Sequence, residues 1–284
     1  MPTGEFDLID RYFSSLTKTD SSLVLGPGDD AAIIQVPAEK EVLLAVDTLV
    51  KDVHFFSDVN PHDLGYKCLA VNVSDIAAMG GVPRWATLSL TLENNDELWL
   101  SEFAAGFASL ANDLGIQLVG GDTTRGPLTI SVQLSGLVDK GRALKRSGAQ
   151  AGDLIFVSGY PGLAAYALSC LKRNEELPGD SLAMQRLQRP TPREGLGQAL
   201  TEIASAAIDI SDGLSADLGH ILRASGVAAD IRLEELPSTE ELSSISSDAE
   251  RFELILAGGD DYELCFTVPI ANKEKLEQTV SSLD

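Results

Sequence analysis

Cysteine and histidine are scarce in this sequence, with three of each in 284 residues. Cys68, Cys170 and Cys265 are scattered without a close pair, which excludes a zinc knuckle and a disulfide framework and is typical of a reducing compartment. Residues 1–13 carry acidic side chains and no long apolar run, so we expect neither a signal peptide nor a membrane anchor. The predicted location is cytoplasmic, with no membrane partner.

Basic residues are also scarce. Lys and Arg number 21 against 43 Asp and Glu, which gives a formal net charge of -22 at pH 7. Without a basic block to offset phosphate repulsion, nucleic acid is excluded as a partner. Much of the acidic excess is explained by solubility or a salt-adapted surface. That explanation does not account for the aspartates that cluster beside glycines.

The common nucleotide-binding and hydrolase motifs are absent. No G-x-x-x-x-G-K-[ST] loop occurs, no G-x-G-x-x-G lies between a strand and a helix, and G-x-S-x-G and H-E-x-x-H are missing. If the chain binds a nucleotide, it must therefore do so through metal ions on aspartates. The chain is 44% apolar and only 6% aromatic, and its short strand patterns alternate with amphipathic stretches. This predicts an α/β or α+β fold.

What the sequence does contain is a series of glycine–aspartate turns. The central one is predicted at residues 120–126 (GGDTTRG), between strands predicted at 116–119 and 128–138. Paired glycines let a backbone turn sharply and approach a ligand closely. The carboxylate, hydroxyls and guanidinium that follow can hold a hydrated metal ion together with an anion. The alternative interpretation is an ordinary polar turn.

Similar acidic turns occur at residues 26–30, 209–213 and 258–261, each beside an apolar, strand-like run. Their recurrence predicts a shared acidic site built at strand ends. A helix is predicted at 62–79, where Asp75 falls on the apolar stripe formed by Leu64, Cys68, Val71 and Met79. An unpaired buried carboxylate is costly, so Asp75 is a candidate metal ligand. The alternative is that it caps or pairs near the helix end.

Two domains are predicted, at residues 1–140 and 141–284. The junction at 141–149 is the one locally basic stretch. It is either a solvated linker or a segment from which Arg146 reaches a phosphate group. The second domain is predicted to contain a helix at 193–205, a strand at 228–233 and a mobile polar segment at 238–248. It ends on a helix without a closing strand, which predicts that a strand is missing there.

Seven stretches in this order resemble the thiamine-monophosphate kinase family, over residues 4 to about 268. They are residues 28–31 (GDDA), 47–48 with 54–55 (DT and HF), 72–79 (NVSDIAAM), 120–127, 146–148 (RSG), 209–217 (DISDGLSAD) and 258–264 (GGDDYEL). The family belongs to a superfamily with aminoimidazole-ribonucleotide synthetase, selenophosphate synthetase and a hydrogenase maturation protein. The resemblance implies a two-domain fold whose N-terminal sheets pair into a barrel across a homodimer.

The resemblance also implies a reaction: transfer of the ATP γ-phosphate to thiamine monophosphate, giving thiamine diphosphate, with several Mg²⁺ ions. The implied magnesium ligands are Asp30, Asp47, Asp75, Asp122, Asp209 and Asp212. The implied ATP contacts are Gly121, Asp122, Arg146 and Ser211, and the implied substrate contacts are His54 and Glu263. Asp122, Arg146 and Asp212 are the implied catalytic residues, and residues 1–140 are the implied ATP- and magnesium-binding and dimerisation domain.

The sequence departs from the family pattern in two places. Family members often carry hydroxyl residues just before the equivalent of Asp47, where this chain has Ala45 and Val46. Metal contacts there are expected only from backbone carbonyls. The family also continues past this C-terminus with a strand and an aromatic residue near the substrate ring. Two alternatives remain, namely another ATP-dependent synthetase of the superfamily and a non-catalytic acidic homologue that binds magnesium and nucleotide.

Overall fold

The structure is a computed structural model that describes residues 16–17 and 22–283. The chain forms two compact units, which are described separately below. One comprises Met1–Ile76 and Val82–Gly141, and the other comprises Ala77–Gly81 and Arg142–Asp284. The second unit thus includes the last two residues of a helix from the first half of the chain. Within the described residues, no helix is both long enough and apolar enough to span a membrane.

The N-terminal unit contains a four-stranded sheet and two long helices. Its elements are β1 (Leu23–Leu25), β2 (Ile33–Ile34), β3 (Lys40–Val50), α1 (Pro61–Ala78), β4 (Val82–Leu92), α2 (Glu97–Leu114), β5 (Gln117–Arg125) and β6 (Thr129–Asp139). The strand order is β3-β6-β4-β5, in which β6 is antiparallel to β3 and β4 while β4 and β5 are parallel. The strands β1 and β2 form a separate antiparallel pair.

The two helices follow from local sequence signals and pack against each other closely. The helix α2 begins after Asp96, whose carboxylate accepts hydrogen bonds from two backbone N–H groups, and ends at Gly115 in the left-handed conformation. A Cβ atom on Gly65 of α1 would lie 2.0 Å from the carbonyl oxygen of Phe103. A Cβ atom on Gly106 of α2 would lie 1.8 Å from that of His62. Glycine at these two positions therefore permits the crossing of α1 and α2.

The prediction of a turn at residues 120–126 is wrong. The strand β5 continues through Gly120 as far as Arg125, because Gly121 pairs with Leu88 and the following residue pairs with Ser89. A Cβ atom on Gly121 would lie 2.0 Å from the carbonyl oxygen of Leu88. The glycines therefore serve close approach between two strands rather than a reversal of the chain.

The C-terminal unit contains a three-stranded antiparallel sheet with the order β7-β9-β8. Its elements are β7 (Leu154–Val157), α3 (Leu163–Lys172), α4 (Leu182–Gln188), α5 (Glu194–Leu200), β8 (Ala206–Ile210), α6 (Leu214–Ser225), α7 (Glu240–Ser243), α8 (Asp248–Ala257), β9 (Glu263–Val268) and α9 (Lys273–Val280). The register aligns Val157 with Cys265 and Ile210 with Glu263. The end of β7, the end of β8 and the start of β9 therefore share one edge of the sheet, here called the carboxyl edge.

The structure differs from three predictions for this unit. The helix predicted at 193–205 covers only α5, and the strand predicted at 228–233 is absent, since only a 3-10 turn (Leu233–Glu235) forms there. Ile231 and Leu233 are exposed, so the alternation in that stretch has no buried face to stabilise a strand. The segment 238–248 contains α7 and the start of α8, whose first turns are capped by the hydroxyls of Thr239 and Ser247.

Candidate active site

The N-terminal unit brings together two of the predicted magnesium ligands. Asp47 lies on β3 and Asp75 lies on α1, and their side chains share a hydrogen bond. Burial raises the pKa of Asp47, while the hydrogen bond to Asp75, and any positive charge on the nearby His54, lower it. Two carboxyl groups that are hydrogen-bonded to each other must share a proton, or need a cation between them when both are ionised. The pairing therefore creates a place for positive charge.

The donor chemistry of the Asp47–Asp75 pair fits Mg²⁺. This ion prefers oxygen ligands, usually takes only one or two protein carboxylates, and completes its octahedron with water and phosphate oxygens. In the part of the chain that the structure describes, no three His, Cys, Asp or Glu side chains form a group that could hold a metal ion. The pair alone supplies a number of protein ligands that is usual for magnesium bound together with a phosphorylated substrate.

His54 follows β3 and is exposed. The N–H group of Val50 donates to Nδ1 of His54 over 3.0 Å. A neutral imidazole that accepts at Nδ1 carries its proton at Nε2. The ring can therefore donate an N–H to an oxyanion, as a contact to a phosphate group requires.

Asp30 and Asp122 are exposed and lie apart from the Asp47–Asp75 pair. Asp30 is in the loop between β1 and β2. In the sheet, Asp47 aligns with Val132, Leu88 and Gly121, so Asp122 projects from the opposite face to Asp47. The structure does not bring these two aspartates to the pair, and their roles as ligands stay predictions.

In the C-terminal unit, Ser211 and Asp212 are exposed in the turn that follows β8 at the carboxyl edge. The backbone N–H groups of both residues donate to the Asp217 carboxylate, each over 3.0 Å. Burial raises the pKa of Asp217, and these two hydrogen bonds oppose the shift. The Ser211 carbonyl oxygen also accepts from the N–H of Asp260 over 2.9 Å. Sequence reasoning missed Asp217 as a site residue, although an acid in the first turn of a helix after an acidic turn is a visible signal.

Two other predicted site residues, Asp209 and Arg146, do not lie in the Ser211–Asp212 turn. Asp209 is buried in β8, aligned with Leu264. Arg146 is exposed and lies beside the start of β8, because the N–H of Ala207 donates to the carbonyl oxygen of Lys145 over 3.0 Å. At about 3.3 Å per residue, the backbone of Arg146 is roughly a strand length from the carboxyl edge. The structure does not bring Arg146 to Asp212.

One of the two aspartates in the acidic segment at residues 258–261 has a structural role. The Asp261 carboxylate is buried and accepts from the N–H of Gly162 over 2.8 Å, at the start of α3. Burial raises the pKa of Asp261 to about 8, and hydrogen bonds from the N–H groups of Gly162 and Ala164 oppose this shift. On both sides of it, Asp260 and Tyr262 have positive φ angles of 70° and 52°. Strain of this kind is found where the surrounding structure fixes a functional loop.

Glu263, a predicted substrate contact, is the first residue of β9 and is only 3% exposed. Its carboxylate accepts from Nε of Arg193 over 2.6 Å and from Nη2 over 2.7 Å. The hydroxyl of Ser158 donates to the same carboxylate. The hydrogen bonds from Arg193 to Glu263 raise the pKa of the Arg193 guanidinium. Sequence reasoning missed Arg193, which lies 70 positions from Glu263 and belongs to no local motif.

Comparison with known proteins identifies the family. Residues 28–138 match the family model described as AIR synthase related protein, N-terminal domain. Over 286 aligned residues the chain is 46% identical to the thiamine-monophosphate kinase of Salmonella typhimurium, covering 100% of this chain and 88% of that protein. It is 36% identical to the Bacillus subtilis thiamine-monophosphate kinase, covering 98% of this chain and 88% of that protein. The chain belongs to the thiamine-monophosphate kinase family.

Solved structures of this kinase family have the same fold. The thiamine-monophosphate kinase of Stenotrophomonas maltophilia K279a superposes with a TM-score of 0.91 at 44% identity, covering 98% of this chain and 90% of that one. AaThiL complexed with AMPPCP and TMP superposes with a TM-score of 0.78 at 35% identity, covering 95% and 86%. The hydrogenase maturation protein HypE, at 20% identity and a TM-score of 0.76, shares the fold. The predicted family and mixed α/β fold are confirmed.

Proposed function

We propose that the chain transfers the γ-phosphate of ATP to the phosphate of thiamine monophosphate and so produces thiamine diphosphate. The observation that carries this proposal is the 46% identity, over the whole chain, to a thiamine-monophosphate kinase. The complex of AaThiL with AMPPCP and TMP supports both substrates, since AMPPCP is an ATP analogue. We also retain the prediction that residues 1–140 take part in binding ATP and magnesium.

The side chains of the site suit direct in-line transfer. The acceptor phosphate is already an oxyanion, so no strong general base is required, and the main obstacle is repulsion between two polyanions. The Asp47–Asp75 pair would hold Mg²⁺, which supplies positive charge against this repulsion. Asp30, Asp122, Asp209 and Asp212 stay predicted ligands of further Mg²⁺ ions. We assign contacts to ATP to Gly121, Asp122, Arg146 and Ser211. His54 would donate its Nε2 proton in a hydrogen bond to the thiamine phosphate, and Asp122, Arg146 and Asp212 would act on the transferred group.

The proposal is tested by ADP release in the presence of Mg²⁺-ATP and thiamine monophosphate. We expect ADP to form only when the phosphorylated acceptor is present, and not with thiamine, which lacks the acceptor oxyanion. Chelation of Mg²⁺ should stop the reaction, and Asp122→Asn should slow it on the order of a hundredfold or more. ADP release that is independent of thiamine monophosphate would contradict the proposal.

We further propose that the N-terminal unit pairs with a second copy of the chain through β3, with the two sheets together forming a barrel. The strand β3 lies at one end of the sheet order and is 11 residues long. On the face opposite to Asp47, Leu44 is 73% exposed and Val46 is 66% exposed. A long edge strand that exposes apolar side chains promotes association with another strand.

The dimer is tested by the mass of the protein in solution. We expect a dimer for the unaltered chain and a monomer for the double variant Leu44→Glu, Val46→Glu, because charges at the interface centre would be desolvated without partners. Leu98→Glu is the matched control, since Leu98 is 72% exposed but lies on α2. A variant that remains dimeric, or an unaltered chain that is monomeric, would refute pairing through β3.

A further inference from the structure

Three elements of the C-terminal unit converge on one buried carboxylate at the carboxyl edge. Glu263 begins β9, Ser158 follows β7, and Arg193 precedes α5. The guanidinium of Arg193 engages both carboxylate oxygens of Glu263, through Nε over 2.6 Å and Nη2 over 2.7 Å. The Ser158 hydroxyl donates to Glu263 and accepts from the N–H of Leu264 over 2.8 Å. The carboxylate of Glu263 is thus fixed from two sides.

The backbone near this carboxylate is adapted to it as well. Gly159 has a φ of 55°, and a Cβ atom at this position would lie 2.0 Å from Oε1 of Glu263. A side chain other than hydrogen therefore cannot occur here without displacing Glu263. A buried ion pair of this kind contributes little net stability compared with apolar residues of similar size. The arrangement of the Arg193–Glu263 ion pair therefore favours a role in orienting a functional group over a role in stabilising the fold.

The group that is oriented is the guanidinium of Arg193. Glu263 is 3% exposed and negative, so it is poorly suited to contact a phosphate group, whereas Arg193 is positive and 25% exposed. An arginine has five N–H donors, and the contacts with Glu263 engage those on Nε and Nη2, which leaves the donors of Nη1 and the second one of Nη2. Two such donors match a phosphate group bidentately, while a lysine would offer only a point charge.

The position of this ion pair on the sheet relates it to the predicted nucleotide and metal contacts. The register places Glu263 opposite Ile210, and Ser211 and Asp212 follow that residue directly. The N–H of Tyr262 donates to the carbonyl oxygen of Ile210 over 2.8 Å, which joins the two segments at the carboxyl edge. A phosphate group bound by Arg193 would therefore lie at the same edge as the Ser211–Asp212 turn.

We propose that Arg193 binds the phosphate group of the acceptor substrate, and that Glu263 and Ser158 are positioning residues that orient its guanidinium. This inference rests on the proposed function, because the acceptor is thiamine monophosphate. It reassigns the substrate contact predicted for Glu263 to the arginine that this carboxylate holds. If the ion pair had only a structural role, its loss would lower the stability of the protein. It would not change the preference of the folded protein for a phosphorylated ligand.

The test compares the binding of thiamine monophosphate and of thiamine by calorimetry, together with the KM values for thiamine monophosphate and ATP. The variants are Arg193→Lys and, as a milder change, Ser158→Ala. The matched control is Arg173→Lys, because Arg173 also makes a two-point contact to a carboxylate, that of Glu175, on the exposed end of α3. Arg193→Lys should weaken thiamine monophosphate binding on the order of tenfold or more and raise its KM similarly. Thiamine binding and the KM for ATP should change less than about threefold, and Arg173→Lys should change none of these values.

Each outcome supports or overturns the proposal. A folded Arg193→Lys variant that keeps the unaltered preference for thiamine monophosphate over thiamine would overturn it. If that variant does not fold, Ser158→Ala decides: a preference reduced a few-fold supports the proposal, and an unchanged preference overturns it. If the unaltered chain turns over thiamine monophosphate while the variants keep its preference, only this inference fails. If the unaltered chain neither binds nor phosphorylates thiamine monophosphate, the proposed function fails and the inference fails with it.

Discussion

Gly121→Ala is expected to lower kcat/KM for ATP by on the order of a hundredfold and to destabilise the fold by about 1–3 kcal/mol. The new Cβ atom would lie 2.0 Å from the carbonyl oxygen of Leu88, so β5 would have to move away from β4. That movement displaces Asp122, the next residue of the strand and a proposed ligand of the metal–nucleotide complex. Steady-state kinetics and thermal unfolding of the purified variant measure the two effects.

Gly120→Ala is the matched control for this variant. A Cβ atom at Gly120 would meet only a methyl group of Thr87, at 3.8 Å, which is an ordinary van der Waals distance. Neither Gly120 nor Gly121 has a positive φ, so backbone strain does not separate the two substitutions. We expect Gly120→Ala to stay within about threefold of the unaltered activity and about 1 kcal/mol of its stability. Equal behaviour of the two alanine variants would show that the contact with Leu88 does not determine the position of β5.

Asp75→Asn is expected to reduce kcat by on the order of a thousandfold without lowering the stability of the metal-free protein. An amide at this position can still donate a hydrogen bond to Asp47, and it removes the repulsion between two carboxylates. We also expect Mg²⁺ to raise the melting temperature of the unaltered protein, because a ligand of the folded state stabilises it, and we expect this substitution to abolish that rise. Activity and stability should therefore change in different ways.

The control for this second variant is Asp63→Asn, a substitution on the first turn of the same helix. It should lower kcat less than about threefold and leave the magnesium-dependent shift in melting temperature intact. An Asp75→Asn protein that keeps both its activity and its magnesium shift would remove Asp75 from the metal site. An Asp75→Asn protein that unfolds at a much lower temperature without magnesium would assign Asp75 a structural role.

The helices of the N-terminal unit could be predicted from sequence because their signals are local. The helix predicted at 62–79 is α1 (Pro61–Ala78), and the apolar spacing that predicted it also correctly identified Leu64, Cys68 and Val71 as buried. The last residue of the predicted stripe, Met79, is exposed because it lies beyond the end of the helix. The long helix α2 begins at an aspartate cap and ends at a glycine. Periodicity and caps are properties of neighbouring residues, so no knowledge of the tertiary fold is needed.

The strand β5 was predicted incorrectly because pairing between distant strands overrides local preference. A glycine pair followed by Asp122 is typical of a turn, yet the parallel partner β4 keeps this stretch extended and requires glycine at position 121. Contacts between residues that are distant in sequence also limit what could be predicted of the site. The Asp47–Asp75 pair could be anticipated from the family resemblance, whereas the Arg193–Glu263 ion pair depends on a fold that joins residues 70 positions apart.

The central claim, phosphoryl transfer from ATP to thiamine monophosphate, is tested most directly by ³¹P NMR of a single reaction containing the protein, Mg²⁺, ATP and thiamine monophosphate. We predict that the thiamine monophosphate signal is replaced by the two signals of thiamine diphosphate, in step with the appearance of ADP and without release of orthophosphate. Formation of ADP together with orthophosphate, while thiamine monophosphate remains unchanged, would contradict the account.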